Sequence, residues 1–266
     1  MKNILAEIVR NKQLEVARRK EEFPETGFGE SPYYARTCYS LKQRLLNTKR
    51  VSIIAEFKRQ SPSQGVFNPA SDVAAITAGY EQAGVAAVSV LTDSVFFGGS
   101  LQDLSTARRV LGCPILRKDF IVDEYQVLES KFAGADVILL IASVLTPDQV
   151  ACLAEVAHRI GLEVILEIHN EEELQANREA PVDIIGVNNR NLHTFEVSIE
   201  TSIRLSGLIP DHVARISESG LENPVEVIGL SRLGYHGFLM GQRFMRQPDP
   251  VTACTTFMKQ VEQLMQ

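Results

Sequence analysis

Eight short apolar runs rich in β-branched residues, separated by stretches with helical periodicity, constrain this chain more than any other feature. The runs lie at 51–57, 85–91, 114–120, 136–142, 163–169, 184–189, 214–218 and 237–241. Between them, the stretches 71–83, 101–111, 123–133 and 147–160 repeat apolar residues at helical spacing. Strands that alternate with helices pair in parallel, because a parallel neighbour needs a crossover long enough to carry a helix. Eight such units, spaced about 20–35 residues apart within 266 residues, fit a single (β/α)8 TIM barrel better than an open, doubly wound sheet. An open sheet of the dinucleotide-binding kind should also carry GxGxxG after its first strand, and none follows.

Helix boundaries support the repeat. Asp123 precedes a helical stretch, and Thr146-Pro147-Asp148 joins an N-cap to a first-turn proline. Gly84, Gly112, Gly134 and Gly161 each stand between a helical stretch and a strand, where a left-handed C-terminal cap is expected. Ahead of the barrel, residues 3–22 form an amphipathic helix pattern and 40–47 a second, short one. Residues 1–50 are too few for an independent core. They are expected as a helical extension packed on a barrel of residues 51–266.

Composition excludes several classes. The net charge of −6, with no long basic run, disfavours general nucleic-acid binding while leaving room for a local pocket for a small anion. No apolar run approaches the roughly 18 residues of a membrane span, and MKNILAEIVRNK has charges where a signal peptide would be apolar. Cys38, Cys113, Cys152 and Cys254 are scattered, with no CxxC or metal-type spacing. The expectation is a cytoplasmic chain with no nucleic-acid or membrane partner. A monomer is the default, since no exposed apolar stripe stands out.

Ionisable and amide side chains interrupt the apolar runs at one end. The first strand ends in Glu56-Phe57-Lys58, the third in Arg117-Lys118-Asp119 and the fifth in Glu167-Ile168-His169. The sixth ends in Asn188-Asn189-Arg190 and the seventh in Ser217-Glu218-Ser219-Gly220. Barrel active sites sit at the C-terminal ends of the strands. Alternation puts Lys118 on the face of Leu116, Glu167 on that of Ile165, and Asn188 on that of Gly186. If those partners point inward, Lys118, Glu167 and Asn188 crown the mouth beside Glu56 and Lys58. Otherwise Lys118 is a surface lysine, Asn188 a turn amide, and Glu56 and Lys58 a solvated pair. Glu218 is ambiguous, because Ser217 and Ser219 share the opposite face. Lysines and carboxylates converging on one pocket suit general acid–base chemistry. No cysteine or serine has an evident histidine base, and His169 has no metal-ligand companions. Ser219-Gly220 and Gly241-Gln242-Arg243, after strands seven and eight, resemble the phosphate cradle of such barrels.

The segments IAEFKRQSPSQG, SVLTDSVFFGGSLQDL, ILRKDFIVDEYQV, LEIHNEEEL, IGVNNRNL, SESG and GFLMGQRFM, in this order, resemble the indole-3-glycerol-phosphate synthase family. The likeness extends to LAEIVRNKQLEV and covers essentially the whole chain. It implies ring closure, decarboxylation and dehydration of 1-(2-carboxyphenylamino)-1-deoxyribulose 5-phosphate, a small phosphosugar, without metal or organic cofactor. By resemblance, Lys118 is the general acid at the ketone and Glu167 the acid–base group of dehydration. Lys58 binds the substrate carboxylate and helps protonate the leaving hydroxyl. Glu56, Asn188 and Glu218 orient these groups and bind hydroxyls. Arg190 lies beside the pocket, and Phe96, Phe120, Leu139 and Leu192 line the aromatic subsite. Ser61, Ser219, Gly220, Gly241 and Gln242 hold the phosphate, under a lid beginning at Arg59. Gln64 replaces a residue commonly basic in the family, and Gln242 one commonly small. No fused phosphoribosylanthranilate isomerase domain is expected. Other phosphosugar barrels, an isomerase or a lyase, and a silent phosphate binder are the alternatives.

Overall fold

The computed structural model describes residues 4–48, 50–62, 65–66, 68–192 and 194–266. The expectation for Gln64 falls outside them. Eight parallel strands form the barrel: β1 (Ser52–Phe57), β2 (Ala87–Leu91), β3 (Ile115–Lys118), β4 (Val137–Ile141), β5 (Glu163–Ile168), β6 (Ile184–Asn188), β7 (Ala214–Glu218) and β8 (Gly237–Met240). Each pairs with the next, and β8 closes onto β1 from Ser52↔Gly237 to Ala55↔Met240. Closure leaves no barrel edge unpaired.

Both faces of these strands are buried, which is why their sequences read as continuous apolar runs. One parity supplies Ile54, Leu116, Leu139, Ile165, Ile216 and Leu239 to a cluster inside the barrel. The other, including Ile53, Val88, Ile115, Ile138, Val164 and Phe238, packs outward against the helices. Around it run α3 (Val73–Gln82), α4 (Leu101–Val110), α5 (Glu124–Ala133), α6 (Pro147–Arg159), α7 (Glu171–Ala176), α8 (Glu200–Ser206), α9 (Pro224–Arg232) and α11 (Pro250–Met265), with the short α10 (Gln242–Met245) after β8. Thr146 and Gln149 form a reciprocal capping box at α6, and Asn223 and Glu226 do so at α9. Gly84, Gly134 and Gly161 adopt positive φ, as expected of C-terminal caps. Gly112 does not. The chain already leaves α4 extended at Leu111, and the Gly112 N–H donates to Glu81 Oε1 at 2.9 Å.

The described part of the segment ahead of β1 reaches both ends of the barrel. Here α1 (Ile4–Glu22) leads through a 3-10 turn (Glu25–Glu30) to α2 (Leu41–Leu46). Leu41 and Leu45 of α2 join the interior cluster at the N-terminal end of the strands, closing its base. Asp136 fastens this segment, accepting from Arg36 at 2.6 Å, Arg108 at 2.9 Å and the Tyr39 N–H at 2.8 Å. Glu163 accepts from the Lys42 N–H at 2.9 Å and from the Ser40 hydroxyl. At the opposite end, Lys12 of α1 is buried against Asp93 at 3.1 Å and Asp119 at 2.9 Å, which follow β2 and β3. None of the described helices is long and apolar enough to cross a membrane.

Candidate active site

The strand register decides where the polar crown points. Asn188 stands opposite Glu218, and Glu167 opposite Gly186, so these groups share the inward parity of Ile165 and Ile216. The ambiguity at Glu218 resolves inward. Ser217 points the other way, where its Oγ lies 3.0 Å from Asn189 Nδ2 and 2.7 Å from Ser202 Oγ.

At the C-terminal mouth lies a cavity of about 560 Å³. Its wall includes Glu56, Lys58, Lys118, Glu167, Asn188 and Glu218. Lys118 Nζ donates to Glu167 Oε2 at 2.9 Å and to Glu218 Oε2 at 2.5 Å, bridging β3 to β5 and β7. Lys58 Nζ donates to Glu56 Oε1 at 2.6 Å, and Asn188 Nδ2 to Glu167 Oε1 at 3.0 Å.

Two carboxylates thus share one ammonium, and their surroundings drive them apart. Burial raises both, but at Glu167 it is outweighed by Lys118, His169 and Asn188, which hold the carboxyl well below its usual range. Burial and repulsion from Glu167 push Glu218 up to about 7, against Lys118. Burial would lower Lys118, yet Glu167, Glu218 and Glu56 outweigh it and raise the ammonium well above an ordinary lysine. Pairs pushed apart in this way divide into a base and an acid. Glu218 Oε1 is buried without a hydrogen-bond partner, as a group kept for a ligand would be.

A second cluster suits an anion. Ser61 lines the cavity, and its Oγ is buried and unpartnered. Ser61 and Gln60 pair with Gly65 and Val66 in a small hairpin, which Arg59 anchors by a two-pronged contact with Asp103 at 2.7 and 2.9 Å. After β7, Ser219 and Gly220 both take positive φ, +68° and +72°. For serine this is an uncommon conformation, and such outliers gather at ligand sites. Gly241 lies against Glu56, where an added Cβ would come within 2.6 Å of Oε1. Arg190 also lines the wall, and burial together with the nearby Arg246 lowers its pKa. The Gln242 amide lies 3.1 Å from the Arg246 guanidinium, which its oxygen satisfies when the amide is turned that way.

Phe120, Leu139, Leu192, Ser219, Gly220, Gly241 and Gln242 also lie on the wall. Phe96 does not. Phe97 takes that place, with its ring 6.0 Å from that of Phe120, while the Phe96 N–H donates to Asp93 Oδ1. Loop residues carry no strand parity, so adjacent phenylalanines could not be told apart. The structure adds Ile4, Leu5 and Ile8 of α1, and also Arg243. The amphipathic pattern of 3–22 showed an apolar face without showing what it covers.

The family model described as indole-3-glycerol phosphate synthase matches residues 5–257. The chain belongs to the indole-3-glycerol phosphate synthase family. An indole-3-glycerol phosphate synthase of Bacteroides thetaiotaomicron is 44% identical over 266 residues, covering 98% of this chain and 100% of that one. One of Caldanaerobacter subterraneus is 42% identical over 246 residues, covering 92% of this chain and 94% of that one. Among solved structures, the thiamine phosphate pyrophosphorylase from Pyrococcus furiosus shares the fold, with a TM-score of 0.61 at 14% identity over 85% of this chain and 100% of that one. Tryptophan synthase subunit alpha from Legionella pneumophila is similar in the same sense, with a TM-score of 0.60 at 12% identity, covering 84% and 95%.

Proposed function

We propose that this family member converts 1-(2-carboxyphenylamino)-1-deoxyribulose 5-phosphate to indole-3-glycerol phosphate, carbon dioxide and water, acting as a carboxy-lyase without a cofactor. The observation that carries the assignment of roles is Lys118 Nζ bridging Glu167 and Glu218 at the floor of the cavity.

Closing the ring forms a bond between the carboxyl-bearing aromatic carbon and the ketone carbon, and the ketone oxygen must be met by a proton donor. Lys118 is that donor. Its ammonium is too firmly held to release a proton until one of its carboxylates is displaced, and the entering ketone oxygen displaces it. Loss of CO₂ returns the electron pair to the ring. Dehydration then breaks the bond to the former ketone oxygen, with Lys58 helping to protonate the departing hydroxyl and Glu167 taking up the proton released on the substrate side. Glu56, Asn188 and Glu218 orient these groups and bind the sugar hydroxyls. Such general acid–base contributions are each worth roughly 10²–10⁴-fold in rate.

Ser61, Ser219, Gly220, Gly241 and Gln242 receive the phosphate. Phe120, Leu139 and Leu192, with Phe97 in place of Phe96, flank the aromatic ring, and Arg190 lies beside it. The acidic net charge is no obstacle, because the field that matters is local. We further infer a cytoplasmic monomer acting on a diffusible substrate, a reading supported by the scattered free cysteines and by a sequence with net charge −6 and no long basic run.

The test supplies purified protein with this substrate and follows indole absorbance and released CO₂. Formation of both in equal amounts is expected, and folded protein that produces neither overturns the assignment.

A further inference from the structure

Glu167 is also held from a side that the proposed reaction leaves unused. His169 follows β5, with Nε2 3.4 Å from Glu167 Oε1 and Nδ1 3.2 Å from Glu173 Oε2. Ionised carboxylates offer no proton, so one against each ring nitrogen favours the doubly protonated, cationic ring. Burial opposes that charge, but Glu167 and Glu173 outweigh it and lift His169 to about 10. Nε2 is buried and makes no hydrogen bond, so its 3.4 Å approach to Glu167 is an ion-pair contact rather than a hydrogen bond.

Glu173 is fixed in turn. Its Oε2 accepts from the His169 N–H at 2.7 Å and its Oε1 from Asn170 Nδ2 at 3.1 Å. Its own N–H donates to Asn170 Oδ1 at 2.8 Å, the N-cap contact of α7. The imidazole cannot swing away from Glu167 without losing its contact with Glu173. Glu167 therefore has Lys118 on one oxygen and Asn188 and His169 beside the other, while Glu218 repels it from β7.

We propose that His169 is a positioning residue: as an imidazolium braced by Glu173, it keeps Glu167 ionised and turned toward Lys118, so that Glu167 meets substrate as a base. This rests on the synthase assignment above for its kinetic consequence, though not for the protonation state.

Two measurements test it on the whole protein. Nitrogen NMR of His169 without substrate should show both ring nitrogens protonated from about pH 6 to 8, whereas titration near the ordinary 6.5 overturns the proposal. With substrate, His169→Gln should lower kcat about tenfold with little change in KM. Its acid limb should move up by about one pH unit, because removing a nearby cation raises the Glu167 pKa. Glu173→Gln should move the limb the same way by less. A lower melting temperature with kcat and the limb unchanged would show that His169 merely packs. If the variants do not fold, the NMR result on the native chain still decides. If the native protein folds but does not turn over, the synthase assignment fails, and the NMR result judges the proposal separately.

Discussion

Lys12 of α1 lies 2.9 Å from Asp119, the residue that follows Lys118. The helix whose Ile4, Leu5 and Ile8 wall the cavity is thus fastened one position away from the proposed general acid.

Lys12→Met leaves Asp93 and Asp119 buried without their shared cation. A loss of about 3–5 kcal/mol is expected in urea unfolding, with a raised KM as α1 loosens. The acid response follows as well. Burial would raise Asp119, but Lys12 and Arg117 hold it well below the ordinary carboxyl value of 3.8. A depressed folded pKa stabilises above the unfolded value and is lost as pH falls through the folded one. In the Lys12→Met protein that contribution shrinks, so acid unfolding should begin at a higher pH.

Lys118→Met should lose roughly 10²–10⁴-fold in kcat while far-ultraviolet circular dichroism remains native. A near-normal kcat would remove Lys118 from its role.

Glu218 gives a stability signature independent of turnover. Its folded pKa is raised from 4.5 to about 7, so the folded state binds the proton more tightly and native stability falls across that window as pH rises. Urea titrations at several pH values should show Glu218→Gln with a flatter profile there. That variant should be the more stable protein above pH 7.

Ser61→Ala removes an unpartnered hydroxyl from the anion cluster. Loss of a hydrogen bond to a charged phosphate, worth about 1.5–3 kcal/mol, should raise KM roughly tenfold or more with kcat little altered. An unchanged KM in steady-state assays would move the phosphate elsewhere.

Leu45→Ala tests the opposite end of the barrel. Leu45 is 1% exposed within the base of the interior, so truncation should cost about 2–5 kcal/mol in chemical unfolding. Away from the melting range, kcat/KM should stay close to that of the native protein.

The barrel was legible because both parities of most strands are apolar, β7 with Arg215 and Ser217 on its outer side being an exception, and the eight runs differ from the observed strands by only a few terminal residues. Alternation put Lys118, Glu167 and Asn188 at the mouth only on the condition that their partners point inward, as Leu116 and Ile165 do. Glu218 did not, since Ser217 and Ser219 offered an equally polar face until Asn189 and Ser202 claimed Ser217. Phe97 could not be distinguished from Phe96 because loops have no period. Lys12 was hidden for another reason: beside the local Glu15, it meets Asp93 and Asp119, about 80 and 107 residues away, and no local pattern reports so distant a pairing.

The N-terminal extension also sets an order of events during synthesis. It is made before the barrel, yet Leu45 packs so closely to Gly237 that an added Cβ there would fall 2.6 Å from its side chain. At roughly 5–20 residues per second, about 10–40 s separate the emergence of these two residues. Throughout that interval the apolar side of α2 lacks its final seat. The seat that Leu45 takes beside Gly237 therefore forms only after β8 has been made, which makes closure of the base a late event in folding.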